Sequence, residues 1–219
     1  MNKVLITGAN RGIGLELCRQ LVARGDDVIA VCRKASDEMN AMNLRVIEGI
    51  DVTSAASLKS LSTSLAGEKL NWLLNNAGIL AADSLHQLDF DAMEQQFRVN
   101  SLGPLRVTTA LLDNLAPGSK VGIVTSRMGS VADNTSGGYY GYRISKAAVN
   151  MVGMGLARDL HEQEIAVALL HPGMVATEMT GGRGVPPAHS ASGLIQRMDE
   201  LNLTTSGSFW HAEGELLPW

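Results

Sequence analysis

The sequence predicts an open, doubly wound α/β sheet of about seven mainly parallel strands, folded as one domain. Three observations carry this. Short runs that are apolar at consecutive positions alternate with amphipathic segments, as expected of strands covered on both faces. Polar, glycine-rich segments follow those runs, one after another. The chain has 219 residues, long for one core and short for two.

The strand-like runs lie at 4–6, 28–31, 44–47, 72–74, 121–124 and 167–170, with a weaker one at 207–210. Ile13, Leu17 and Leu21 recur every four residues and mark the first helix. A long helical segment runs from Phe90 toward Leu115 and is stopped by Pro117 and Gly118, and another spans about 139–160. Right-handed crossovers place every strand's C-terminal end on one edge, where such sheets bind ligands. TGANRG, IDVTS, NNAG, TSRMGS and HPGMVAT follow the first, third, fourth, fifth and sixth runs, so these segments converge on one crevice. The stretch 180–191 carries three glycines and two prolines and reads as a flexible flap over it. The domain assignment is therefore 1–219, with a flap around 180–191.

Gly8, Gly12 and Gly14 lie between the first strand and the first helix. They suit a tight turn, close backbone approach to a pyrophosphate and close helix packing, with the helix N–H groups facing phosphate. The second strand ends Cys32-Arg33-Lys34, and Arg11 adds a cation from the glycine loop. A carboxylate there would suit a ribose 2′-hydroxyl, whereas cations suit a 2′-phosphate, so NADP(H) is expected in preference to NAD(H). Asp51 either takes the adenine amino group or caps the helix starting near Ser54.

All three tyrosines, Tyr139, Tyr140 and Tyr142, fall just before Lys146. On a helix only Tyr142, four residues before Lys146, shares its face at one turn's distance. Lowering a phenol pKa from ~10 to ~7 takes roughly 4 kcal/mol. A lysine at ~4.5 Å supplies about 1 kcal/mol in water and about 4 kcal/mol at an effective dielectric of ~20. The pair is therefore useful only in a sheltered crevice.

These features together resemble the short-chain dehydrogenase/reductase family, and more narrowly its sniffer-type carbonyl reductase and C-factor branch. Thr7, Gly8, Gly12 and Gly14 match the family's cofactor loop. NNAG at 75–78 matches its fourth-strand motif. Asn100, Ser126, Tyr142 and Lys146 match its catalytic tetrad, and Pro172, Gly173 and Thr177 the segment that holds nicotinamide. The resemblance covers nearly the whole chain. It implies cofactor contacts at Gly8, Asn10, Arg11, Gly12, Ile13, Gly14, Arg33, Asp51, Val52, Asn76, Ala77, Gly78, Tyr142, Lys146, Pro172, Gly173, Val175 and Thr177. It also implies that hydride passes between nicotinamide C4 and a carbonyl or secondary alcohol. In that scheme Ser126 polarises the carbonyl oxygen and Tyr142 is the general acid or base. Lys146 holds the ribose hydroxyls and biases Tyr142 toward ionisation, and Asn100 positions a water beside Lys146. The gap from Ser126 to Tyr142 is longer than in many members, and the region after Thr177 is short, which implies a reduced substrate lid. Relatives pair through the segments 90–115 and 139–160, so a homodimer or homotetramer is expected by analogy.

Other classes are disfavoured. A net charge of -4 gives no electrostatic case for nucleic acid or an anionic membrane. No apolar run is long enough to span a bilayer or to form a signal peptide. Cys18 and Cys32 form no disulfide or metal pattern, and a cytoplasmic chain with reduced thiols is expected. The five histidines show no ligand spacing, and surface or packing roles are expected. The functional alternatives are an NADP(H)-binding signal or redox sensor of the C-factor type with little turnover, and a nucleotide-sugar epimerase, for whose larger C-terminal domain little chain remains.

Overall fold

The computed structural model describes residues 1–219. Its sheet is built from β1 (Lys3–Thr7), β2 (Asp27–Val31), β3 (Arg45–Ile47), β4 (Trp72–Asn75), β5 (Lys120–Val124), β6 (Ala166–His171) and β7 (Phe209–His211). The spatial order is β3-β2-β1-β4-β5-β6-β7, and every neighbouring pair is parallel. The order reverses between β1 and β4, so a crevice opens there at the strand C-terminal ends. The seven apolar runs account for the seven strands.

Helices cover both faces, as parallel strands require. They are α1 (Gly12–Arg24), α2 (Asp37–Asn40), α3 (Ala55–Ser64), α4 (Phe90–Phe97), α5 (Gly103–Ala110), α6 (Tyr140–Asp159) and α7 (Pro187–Glu200). Side chains alternate along each strand. Val4 and Ile6 therefore join one core with Leu17, Leu21 and Leu194, while Leu5 joins the other with Leu61, Val107 and Val149. At the sheet edge Trp210 is buried and Trp219 stacks on Phe209 at 5.4 Å between ring centroids. No helix is long and apolar enough to cross a membrane.

Two elements differ from the sequence reading. The segment 90–115 is two helices separated by a π turn, Arg98–Leu102, which holds Asn100. The stretch 180–191 is only partly a loop, because Pro187 opens α7 and residues 187–191 are helical. Proline at the first helical position has no donor to lose and its φ is already suitable, so the composition that suggested a flap in fact marks a helix start. The irregular part is also tied down. Val185 N–H donates to the Met174 carbonyl at 2.8 Å, and Ala176 N–H to the Val185 carbonyl at 2.8 Å.

Candidate active site

A cavity of about 980 Å³ runs along the strand ends from the glycine loop to α6. At the glycine end, the first residue before α1, Arg11, caps nothing with its side chain, and no acidic residue lies in the first turn. The opening N–H groups of α1 are thus available to an anion. Gly8 has φ 65 and a Cβ there would lie 2.8 Å from the Ala77 Cα. A Cβ on Gly14 would lie 2.3 Å from the Gly8 carbonyl oxygen, so this glycine serves packing beneath the loop and is not part of the cavity wall. Asn76 fixes the loop by donating to the carbonyls of Thr7 and Gly8, both at 3.1 Å. Asn10 ties it to the segment after β2 by donating to the Lys34 carbonyl at 3.0 Å.

Of the expected cofactor contacts, the wall includes Gly8, Asn10, Arg11, Gly12, Ile13, Arg33, Asp51, Val52, Asn76, Ala77, Gly78, Tyr142, Lys146, Pro172 and Thr177. Gly14, Gly173 and Val175 lie outside it. Val175 is buried and bridges to Val185, and Gly173 forms a left-handed turn at φ 81 that presents its neighbours. Asp51 resolves its two alternatives in part. Ser54 caps α3 by accepting from Ser57 N–H, while one Asp51 oxygen accepts from the N–H and hydroxyl of Thr53, each at 2.8 Å. These bonds, with Arg33 and Arg98 nearby, hold its carboxyl below the usual range. Glu178, which no sequence pattern marks, also lines the cavity and pairs with Arg11 across 167 positions. Both partners of this pair are well exposed, so it offers little resistance to exchange of Arg11 onto a phosphate.

At the other end the helix begins at Tyr140, early enough to place Tyr142 and Lys146 on one inward face. Both are buried, whereas Tyr139 and Tyr140 are exposed. The Lys146 Nζ lies 5.6 Å from the Tyr142 ring centroid and donates to the Val124 carbonyl at 3.0 Å. Ser126 is buried and close enough to the phenol to influence it, and its Oγ accepts from Met128 N–H at 3.1 Å. The cavity wall at that point includes Val124 and Thr125, while Ser126 is not part of it.

In the unliganded chain the phenol of Tyr142 is pushed up to about 12, not down toward ionisation, because burial strips the phenolate of water and outweighs the opposing influence of Ser126. The same burial brings Lys146 down to about 8. The ligand-free chain therefore carries a protonated phenol, the form needed to donate a proton. The Asn100 side chain is engaged with protein partners. Its Oδ1 accepts from Ile79 N–H at 2.8 Å, and its Nδ2 donates to the Ile79 carbonyl at 2.8 Å and to Ser145 Oγ at 3.0 Å. It fixes the segment after β4 against α6, and both amide donors are used in doing so.

The histidines stay outside this chemistry. His171 is held down to about 3 by burial, then by His211 and nearby cations, and it packs edge-on against His211 at 5.0 Å. No group of three or more His, Cys, Asp or Glu side chains is placed to hold a metal.

A seven-stranded parallel sheet, a glycine loop opening α1 and a buried Tyr–Lys pair across one crevice define a dinucleotide-binding oxidoreductase fold. The comparisons agree. The family model described as short chain dehydrogenase matches residues 2–185, and the chain belongs to that family. It is 46% identical over 226 residues to a 1-hydroxy-2-glutathionyl-2-methyl-3-butene dehydrogenase of Rhodococcus sp. (strain AD45), with 100% of both chains covered. It is 41% identical to the C-signal protein of Myxococcus xanthus, over 74% of this chain and 100% of that one. Among solved structures, NADPH-bound carbonyl reductase from chicken fatty liver superposes with a TM-score of 0.91 at 30% identity, covering 100% of this chain and 99% of that one. The Sniffer carbonyl reductase of D. melanogaster gives 0.92 at 29%, with full coverage of both.

Proposed function

We propose that the protein is an NADP(H)-dependent oxidoreductase of the carbonyl reductase type, with Tyr142 as its general acid or base. The observation that carries this is the burial of Tyr142 and Lys146 together in the wall of a cavity whose far end is an uncapped helix N-terminus. The donor set fits a dinucleotide. The α1 N–H groups and Gly12 would receive the pyrophosphate, Arg33 and Arg11 a 2′-phosphate, and Pro172 and Thr177 would flank the nicotinamide. When bound, the cofactor supplies or accepts the hydride.

The chain's own residues do the rest. Ser126 donates to the substrate carbonyl oxygen while the Tyr142 hydroxyl reaches the same atom and delivers its proton there. Run in reverse, Tyr142 takes the proton back from the alcohol. The Lys146 ammonium, directed by the Val124 carbonyl, holds the ribose hydroxyls and stabilises the phenolate once the proton has left. Asn100, through Ile79 and Ser145, keeps the floor of the site rigid. NADPH oxidation with aldehydes, ketones and quinones, and NADP+ reduction with glutathionylated alcohols, test the reading, the last class because of the Rhodococcus relative. Turnover with at least one class supports it, and bound NADPH with no turnover favours the second reading.

That second reading is a cofactor-binding signal protein, favoured by the 41% identity to C-signal. The intact Ser126, Tyr142 and Lys146 arrangement favours catalysis. We also propose a cytoplasmic chain, since both cysteines are free and buried, that forms homodimers or homotetramers. Phe90, Phe97, Ile144 and Met151 leave apolar surface exposed on α4 and α6, and light scattering should give a mass of at least two chains.

The Lys146 shift sets an expected pH dependence. Below about 8 its amine is charged, and above that the unliganded chain loses the ammonium. For carbonyl reduction, kcat/KM should therefore fall as pH rises through about 8. The residual rate of Lys146→Met should lack this limb, because methionine does not titrate. Tyr142, near 12, stays protonated across the window.

A further inference from the structure

Helix α6 begins without a cap of its own. Tyr139, which precedes it, is in the left-handed region at φ 51, and its side chain caps nothing. The first donors are met from far along the chain. Tyr140 N–H donates to Asp83 Oδ1 at 2.5 Å, and Gly141 N–H to Asp83 Oδ2 at 2.9 Å. Tyr139 N–H donates to the Asp83 carbonyl at 3.1 Å. One residue thus satisfies three successive N–H groups of the catalytic helix's opening.

Asp83 ends a segment that is stitched at every second position. Ile79 bonds to Asn100, Ala81 N–H donates to Gln96 Oε1 at 3.0 Å, and Asp83 takes the start of α6. Gln96 and Asn100 are buried, and Ile79 lines the cavity beside Gly78. The segment therefore joins the cavity floor to the helix that carries Tyr142 and Lys146. The first turn of α6 has no slack against α4, since a Cβ on Gly141 would lie 2.6 Å from Gln96 Nε2 and 2.7 Å from Met93 Cγ.

We propose that Asp83 is a positioning residue for the reaction, holding the first turn of α6 so that the Tyr142 hydroxyl stays in register with the cavity; this rests on the function proposed above. A carboxylate is suited to the task because both oxygens accept, one from each of two consecutive N–H groups, and its charge faces the positive end of the helix dipole. An asparagine keeps one acceptor, and an alanine keeps none. With neither, the turn containing Tyr142 frays, and a displacement of ~1 Å at a reacting group lowers a rate by up to about 10²-fold.

The test compares wild type, Asp83→Ala and Asp83→Asn. It measures kcat, the carbonyl KM, NADPH Kd by fluorescence, melting temperature, and amide hydrogen exchange over 139–142 in the unliganded chain. In Asp83→Ala, kcat should fall about 10-fold or more, while KM and NADPH Kd stay within about twofold. The Tyr140 and Gly141 amides should exchange faster, and Asp83→Asn should recover most of the lost kcat. Asp83→Ala with kcat within about twofold of wild type would overturn the proposal. So would a loss that tracks the unfolded fraction and is not rescued by asparagine. A wild type with no turnover on any carbonyl removes the underlying function, whereas an active, Tyr142-dependent wild type matched by an equally active Asp83→Ala removes only the role of Asp83.

Discussion

Tyr142→Phe is expected to lower kcat by about 10²–10⁴-fold while NADPH Kd stays within about twofold. The phenol is buried in the wall and holds its proton in the unliganded chain. Ser126 is a poor substitute, because an aliphatic hydroxyl is a far weaker acid than a phenol. Phenylalanine preserves the ring and its 5.6 Å contact with the Lys146 ammonium, so cofactor and substrate should still bind. Steady-state kinetics with fluorescence titration of NADPH separates the two effects. Equal losses in kcat and NADPH affinity would instead mean that the hydroxyl serves cofactor binding.

Arg33→Ala is expected to raise the NADPH KM by about 10–30-fold and leave the NADH KM nearly unchanged, from loss of a charge-assisted hydrogen bond worth about 1.5–2 kcal/mol at an exposed site. Arg33 is exposed at the cavity wall where β2 ends, and the residue before it is Cys32, not a carboxylate. Arg11 is the second cation and can leave its exposed pair with Glu178 at little cost, so Arg33→Ala is expected to leave part of the discrimination in place. The measurement is the ratio of kcat/KM for the two cofactors. A variant that loses both equally would place Arg33 outside the 2′-phosphate site.

The parts of this site that are local in sequence were legible there. The glycine loop and the Tyr142–Lys146 spacing each depend on the geometry of one turn, and the strands depend on runs of consecutive apolar residues. What could not be read depends on chain segments meeting in space. Glu178 reaches Arg11 across 167 positions, and Asp83 reaches the start of α6 across 57. Neither is marked by any periodicity. The direction of the Tyr142 shift in the unliganded chain could not be read for a related reason: an opposite charge and burial act against each other on a phenol, and only the depth of the pocket decides between them. The start of α7 was missed because Pro186 and Pro187 resemble loop composition, although proline at a first helical position favours a helix.

The most direct measurement follows deuterium from NADPH carrying deuterium at both C4 positions into a carbonyl substrate that wild type reduces, read by mass spectrometry of the alcohol. One deuterium on the carbinol carbon is expected with wild type, and the labelling rate should drop about 10²–10⁴-fold in Tyr142→Phe at saturating NADPH. Unlabelled alcohol, or undiminished label transfer without the phenol, would contradict the assignment.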